Sequence, residues 1–414
     1  MRFGVGLALA WGVAGCAPDV SDPGDAPAPA DRMAKAGETG DERAELLGPF
    51  LADYWRLPVP TQGSPPEGFS AAEASLDPQA CGACHPDQLR EWQTSLHAGA
   101  YSPGFAGQLL EGDLAEPDSL RHCQTCHAPL AEQQPWDATG DPEPAYDAAL
   151  RAQGIVCASC HVRSQRRYGP PRRAGLPATS GPAPHAGFEV RPEFEQAHFC
   201  AECHHFFDDE GVAGKPLQNT FAEWRASPAA AEGRSCQSCH MPERAHTWRG
   251  IHDAEMVRSG VDVAWDVEPS ADPLRATLVL ENRDVGHAFP TYVTPRVFLA
   301  IWQLDELGQE LEGTRASATL GREIDFADWS ERFDTRVLPG EQASLAYAKA
   351  RHPGARELVG RVTVDPAYHY RGVFESLLES LGSEEARGQI ARALEGANAA
   401  PYVLFESRRS LPLN

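Results

Sequence analysis

Three shortages narrow what this chain of 414 residues can be. Positive charge is scarce: 36 Lys and Arg stand against 59 Asp and Glu, a net charge of -23 at pH 7 that argues against nucleic acid as a partner. Long apolar runs are missing beyond the N-terminus, so no membrane-spanning helix is expected there. Spare thiols are missing too. Of 11 Cys, ten fall into five short motifs, and the one left over, Cys16, has nothing to pair with, which excludes a structural disulfide.

What the chain does have is one pattern five times: Cys81-Gly-Ala-Cys84-His85, Cys123-Gln-Thr-Cys126-His127, Cys157-Ala-Ser-Cys160-His161, Cys200-Ala-Glu-Cys203-His204 and Cys236-Gln-Ser-Cys239-His240. Two thiols at this spacing can form thioethers to the two vinyl groups of one haem, and the histidine that follows can place its imidazole on the iron. A lone Cys-x-x-Cys is equally the mark of a zinc knuckle or a redox dithiol. Neither requires a histidine next, and structural zinc sites pair two half-sites, whereas five is odd. The motifs therefore predict five c-type haems, with His85, His127, His161, His204 and His240 as proximal ligands.

The N-terminus reads as an export signal. Arg2 precedes an apolar run from Val5 to Val13, and Val13-Ala14-Gly15-Cys16 is similar to a lipobox, which predicts a signal peptide over 1–15 and lipidation of Cys16. Residues 16–47 are rich in Asp, Pro, Ala and Gly, cannot bury enough apolar surface to fold, and read as a disordered acidic tether. The expectation is an exported protein, lipid-anchored to a bacterial membrane and facing the periplasm or the cell surface.

Over 48–260 the motifs recur too irregularly for a solenoid and too densely for separate domains, so regular structure should be limited to helices around them. One helix is readable. It begins at Pro86, carries Leu89, Trp92 and Leu96 at helical spacing and ends near Gly99. His97 on that helix would lie about 18 Å along the axis from His85, too far to cap the same haem, and should ligate a different one. Methionine is scarce, with four in all, so histidine is the expected distal ligand at most sites, which implies lower reduction potentials than His/Met ligation.

The run from Cys81 through Trp92-Gln-Thr-Ser95-Leu-His97 resembles the cytochrome c554 family and the wider superfamily of hydroxylamine oxidoreductases and pentahaem nitrite reductases. Cys126-His127-Ala-Pro, Gly154-Ile-Val-Cys157, Phe199-Cys200, Thr220-Phe-Ala-Glu-Trp224 and Cys239-His240-Met241-Pro242 are similar to segments of such proteins. The resemblance spans roughly residues 75 to 300. It implies His97, His185 and His246 or His252 as distal ligands, with His287 in Gly286-His287-Ala-Phe-Pro290 as a further one. One departure bears on function. The nitrite reductases commonly carry lysine in place of the motif histidine at the catalytic haem, and all five motifs here end in histidine. No catalytic residue is singled out. The expected function is electron transfer; the alternative is reduction or oxidation of a small nitrogen or sulfur compound, such as nitrite or hydroxylamine, at one open-site haem.

Arg163, Arg166, Arg167, Arg172 and Arg173 form a basic run in this acidic chain, suited to pairing with haem propionates. The overall acidity fits a basic redox partner protein. Past residue 260 the motifs stop, and short apolar runs at Val261–Trp265, Ala276–Leu280, Arg296–Trp302, Ala343–Tyr347, Leu358–Val364 and Tyr402–Phe405 read as strands. The expected fold is thus multidomain: a mainly helix-and-loop multihaem cytochrome c domain, then a C-terminal β-sandwich over 261–414, immunoglobulin-like, with a helical insertion at 373–395.

Overall fold

The computed structural model describes residues 40–112, 117–137, 139–173, 184–206, 211–268, 273–325 and 327–412. The expected signal peptide, Cys16 and most of the tether lie outside them. The tether's expected end at residue 47 needs correction, because Gly40–Tyr54 is already helical, with a kink at Gly48 (φ 73) where Pro49 follows. Leu47, Leu51, Tyr54 and Trp55 bury their side chains with Phe199, Ala201 and Phe221, and this apolar face outweighs the polar composition upstream. Tyr54 Oη donates to the Cys160 carbonyl (2.7 Å), tying the helix to the third motif.

From Ala71 to Gly260 many of the helices are short: Ala71–Ala74, Pro78–Gly82, Pro86–Trp92, Cys157–His161, His198–His204, Thr220–Arg225, Cys236–His240 and Ala254–Gly260. Helices of this length are not stable alone in water, so caps and tertiary contacts must hold them. Ser70 and Glu73 form a reciprocal capping box, and the side chains of Asp77 and Asp253 accept backbone N–H groups at two other N-termini. Three short strands, β1 (Val162–Arg163), β2 (Arg166–Gly169) and β3 (Glu189–Val190), make a small sheet beside the third motif.

The helix expected to run from Pro86 to Gly99 stops at Trp92. Thr94 Oγ1 and Ser95 Oγ donate to the carbonyls of Glu91 and Trp92, and Trp92 Nε1 donates to Ile155 O (2.8 Å), which turns the chain away. His97 therefore sits beyond the helix, in a turn whose carbonyl accepts the Ile155 N–H (2.9 Å).

The C-terminal region is built of strands β4 (Val261–Glu268), β5 (Leu274–Asn282), β6 (Arg296–Leu304), β7 (Ala316–Leu320), β8 (Arg322–Asp325), β9 (Ser330–Asp334), β10 (Gln342–Lys349), β11 (Glu357–Asp365) and β12 (Tyr402–Ser410). Two antiparallel sheets, β10-β5-β4 and β12-β11-β6-β7, face each other across one core that includes Leu278, Leu280, Val297, Leu299, Ile301, Leu345, Leu358 and Val362. On β5 the inward Leu274, Ala276, Leu278 and Leu280 alternate with more exposed residues, the period-two signature of a sheet with one buried face. At Gly360 of β11 a Cβ would come within 2.8 Å of the Trp265 ring of β4, so the facing sheet packs there directly on backbone.

Two features of this region reach the haem region. The expected insertion is a helix pair, Tyr368–Ser380 and Glu384–Ala399, whose Phe374 and Ile390 pack onto the helix Pro103–Gly112 at Gly104 and Gly107. The hairpin β8-β9, which carries no apolar alternation to announce it, buries Arg322 against Glu331 and the carbonyls of Val212, Lys215 and Pro216. Among the described residues, no helix is long and apolar enough to cross a membrane.

Candidate haem-binding sites

Each motif histidine ends or follows a short helix that starts at or before its own cysteines, so the three motif residues project from one turn of chain. The imidazoles are oriented by backbone carbonyls. Nδ1 of His127 lies 2.7 Å from Ala100 O, Nδ1 of His161 lies 2.8 Å from Tyr168 O, and Nδ1 of His240 lies 2.7 Å from Arg249 O. With the Nδ1–H donating to a carbonyl, Nε2 is the free nitrogen, the arrangement a metal-binding imidazole needs.

Three of these imidazoles face a second one. The ring centroids of His97 and His204, of His161 and His246, and of His240 and His287 are each 6.3 Å apart. With metal–nitrogen bonds of about 2 Å, two imidazoles on opposite sides of one metal have their centres about 6 Å apart. Three unrelated pairs at one such separation fit axial ligation of an iron between them. Burial pushes His97 down to about 3, with His204 nearby adding to it, and pushes His161 and His204 down to about 4. These rings are thus neutral, the form that binds a metal.

Burial, with His185 adding to it, holds His85 below its ordinary value, and His185 is held at a positive φ of 43 while its backbone N–H donates to Glu73 Oε1 (2.7 Å) and its Nδ1 lies 2.8 Å from Gly187 O. Of the alternatives His246 and His252, His246 stands opposite a motif histidine; His252 is exposed and faces none among the described residues. His127 is different. Its ring stacks on Phe105 (4.3 Å, 15°), and no histidine stands across from it among the described residues.

The cysteines show which motifs are neighbours. Cys81 and Cys157, Cys126 and Cys203, and Cys200 and Cys236 are close enough to shift each other's titration, and Cys160 raises Cys200 and Cys203 in the same way. The first motif therefore adjoins the third, the third adjoins the fourth, and the fourth adjoins both the second and the fifth.

Residues 80–162 match the family described as cytochrome c554 and c-prime. Over that stretch the chain is similar to cytochromes of the c554 type. The fold has a solved counterpart: a penta-heme cytochrome c552 from Thermochromatium tepidum superposes with a TM-score of 0.56 at 20% identity, over 80% of this chain and 97% of that one. No curated protein sequence matches the chain. In a c554-type cytochrome the cofactor is c-type haem, and the carbonyl-oriented imidazoles beside paired thiols fit it.

The basic run separates by role. Arg163 lies 3.9 Å above the Tyr54 ring and donates to the carbonyls of Tyr54, Ser159 and Val162. Arg166 and Arg173 pair at the surface with Glu189 and Glu243.

Sequence reasoning missed Trp248, which lies 4.5 Å from the His97 ring and 5.2 Å from the His246 ring and so wedges between two distal-ligand candidates. Its place two residues past His246 was the only available signal. Phe105 and Tyr370 were missed as well. Tyr370, on the inserted helix pair, has its hydroxyl pushed above its ordinary range by burial, with Cys123 of the second motif adding to it.

Proposed function

We propose that this chain is an exported electron-transfer protein carrying five covalently attached c-type haems, most of them bis-histidine ligated. The observation that carries the reading is the repeated 6.3 Å separation of three histidine pairs drawn from different parts of the chain. Haem supplies one-electron chemistry at iron, and the protein supplies ligation, spacing and charge. The axial pairs would be His97 with His204, His246 with His161, His287 with His240, and His185 with His85. The neighbour relations of the motifs support a relay from the first through the third and fourth to the fifth, with the second as a branch on the fourth.

Anchoring through lipidated Cys16 at a bacterial membrane, in the periplasm or on the cell surface, and a basic redox partner attracted by the net charge of -23 complete the proposal. The two facing sheets, with order β10-β5-β4 against β12-β11-β6-β7, favour an immunoglobulin-like sandwich whose tasks are to supply His287 and to brace the second motif. Covalent haem determined per chain tests the count: five equivalents are expected, and four or fewer on a homogeneous, fully matured protein would refute it. Membrane release of a Cys16→Ser variant tests the anchor, and continued fractionation with membranes would reject it.

A second reading rests on His127. With no histidine across from it among the described residues, the second site is the one suited to an exogenous small ligand, and hence to reduction or oxidation of nitrite, hydroxylamine or a related compound. Carbon monoxide added to the reduced protein separates the two. Binding of one equivalent, together with turnover of such a substrate, favours catalysis; spectra that carbon monoxide leaves unchanged favour pure conduction.

A further inference from the structure

The loop that delivers His287 is seated on the haem region from two sides. Gly286 lies so close to the helix Thr220–Arg225 and its successor that a Cβ would come within 3.3 Å of Trp224 Cδ1 and 3.2 Å of Ala229 Cβ. On the other side, Asn282 Nδ2 donates to both His287 O and Val337 O (2.9 Å each), and Phe289 and Val337 exchange backbone hydrogen bonds of 2.8 Å. One side chain spans the gap between these two supports. Glu223 accepts the Ala288 N–H at Oε2 (3.2 Å) and the Arg336 guanidinium at Oε1 (2.8 Å), with both side chains almost fully buried at 7% and 4% exposure.

Arg336 is itself fixed. Its Nε and Nη2 donate to the two oxygens of Asp334 (2.8 and 2.9 Å), Asp334 pairs with Lys215, Lys215 pairs with Glu331 (3.1 Å), and Glu331 pairs with the fully buried Arg322 (2.8 Å). Three cations and three carboxylates alternate along this line, so it is neutral as a whole. It runs from the hairpin β8-β9 to the residue next to His287.

We infer that Glu223 is a positioning residue for the haem ligand His287: its carboxylate, clamped by Arg336, fixes the 286–288 loop so that the imidazole stands across from His240. This rests on reading His240 and His287 as the axial ligands of one haem. A charge-assisted acceptor holds a backbone N–H more firmly than a neutral one. Removing Arg336 alone leaves a buried carboxylate without its cation, whereas removing both charges together is far less disruptive. Loss of the clamp lets the loop shift and frees the sixth position of that one haem.

Carbon monoxide titration of the reduced full-length protein reads this directly, in haem equivalents, beside covalent haem content and the ferric low-spin signal. His287→Ala is expected to gain one carbon monoxide-reactive equivalent over the wild type. Arg336→Met should gain up to one equivalent with covalent haem unchanged, and Arg336→Met with Glu223→Gln should gain less than Arg336→Met alone. Arg336→Lys should return toward the wild type. An Arg336→Met protein with the wild-type titre, where His287→Ala gains an equivalent, would overturn the positioning role. No gain in His287→Ala would overturn the ligation reading and the positioning role with it. If Arg336→Met fails to mature, Glu223→Gln, which changes no volume, decides: a gain in reactive haem supports the role, and a wild-type titre overturns it.

Discussion

His97, twelve residues beyond the first motif histidine, faces the fourth motif histidine His204 with ring centroids 6.3 Å apart. On the proposed ligation, the fourth motif's site is completed by a residue from the first motif's segment. His97→Ala should therefore convert one low-spin haem to high spin, measured by electron paramagnetic resonance, with covalent haem content unchanged. An unaltered low-spin signal would show that His97 does not ligate.

How much of this site was readable follows from what each residue's signal depends on. The motif cysteines and histidines are local in sequence, and so were legible. That His97 stands across from a motif histidine other than His85 agrees with its spacing, although the helix invoked for it stops at Trp92, because hydroxyl groups at Thr94 and Ser95 compete for the helix carbonyls. His246 and His252 could not be separated in sequence, since facing a partner across a cofactor is a property of the folded chain. The six main strands follow from β-branched and alternating runs. The strands β8 and β9 did not, because Arg322, Glu331 and Asp334 look like surface residues until their partners from the haem region are in place.

The line of alternating charges predicts an acid-sensitive contact. Burial opposes ionisation of Asp334, but hydrogen bonds and charge from Arg336 and Lys215 outweigh it and hold the carboxyl well below its usual range. A depressed carboxylate stabilises the fold fully above its unfolded value, near 3.9, and loses that contribution as pH falls through the lower folded value. Asp334→Asn should thus cost roughly 2 kcal/mol at pH 7, with the deficit shrinking below about pH 4. Denaturant midpoints at pH 7, 5 and 3 check this; a deficit that stays constant with pH would refute the linkage.

Arg163 and Arg166 stand three residues apart and should differ sharply. Arg163 combines the Tyr54 ring face at 3.9 Å with hydrogen bonds to three carbonyls, so Arg163→Ala should destabilise by roughly 2–3 kcal/mol. Arg166 meets Glu189 in solvent at 3.2 Å, and Arg166→Ala should cost no more than about 0.5 kcal/mol. Unfolding of the two holoproteins, compared with the wild type, checks both; equal costs would mean that the run acts through charge alone.

The inserted helix pair offers a test in which even the sign of the effect is informative. Gly107 lies inside the helix Pro103–Gly112, and replacing a helical glycine by alanine in isolation stabilises by about 1 kcal/mol. Here the added methyl would lie 2.8 Å from Ile390 Cδ1 and Cγ1 and 3.1 Å from the Ala386 carbonyl. Ile390 and Ala386 are fully buried, so neither can yield cheaply, and overpacking of this kind costs about 1–3 kcal/mol. Gly107→Ala should therefore destabilise the protein despite its better helix propensity. The same helix carries Phe105, stacked on His127, so the substitution should also raise the rate at which carbon monoxide enters the second site. A Gly107→Ala protein more stable than the wild type, with unchanged carbon monoxide kinetics, would mean that the inserted helices do not dock on this face in solution.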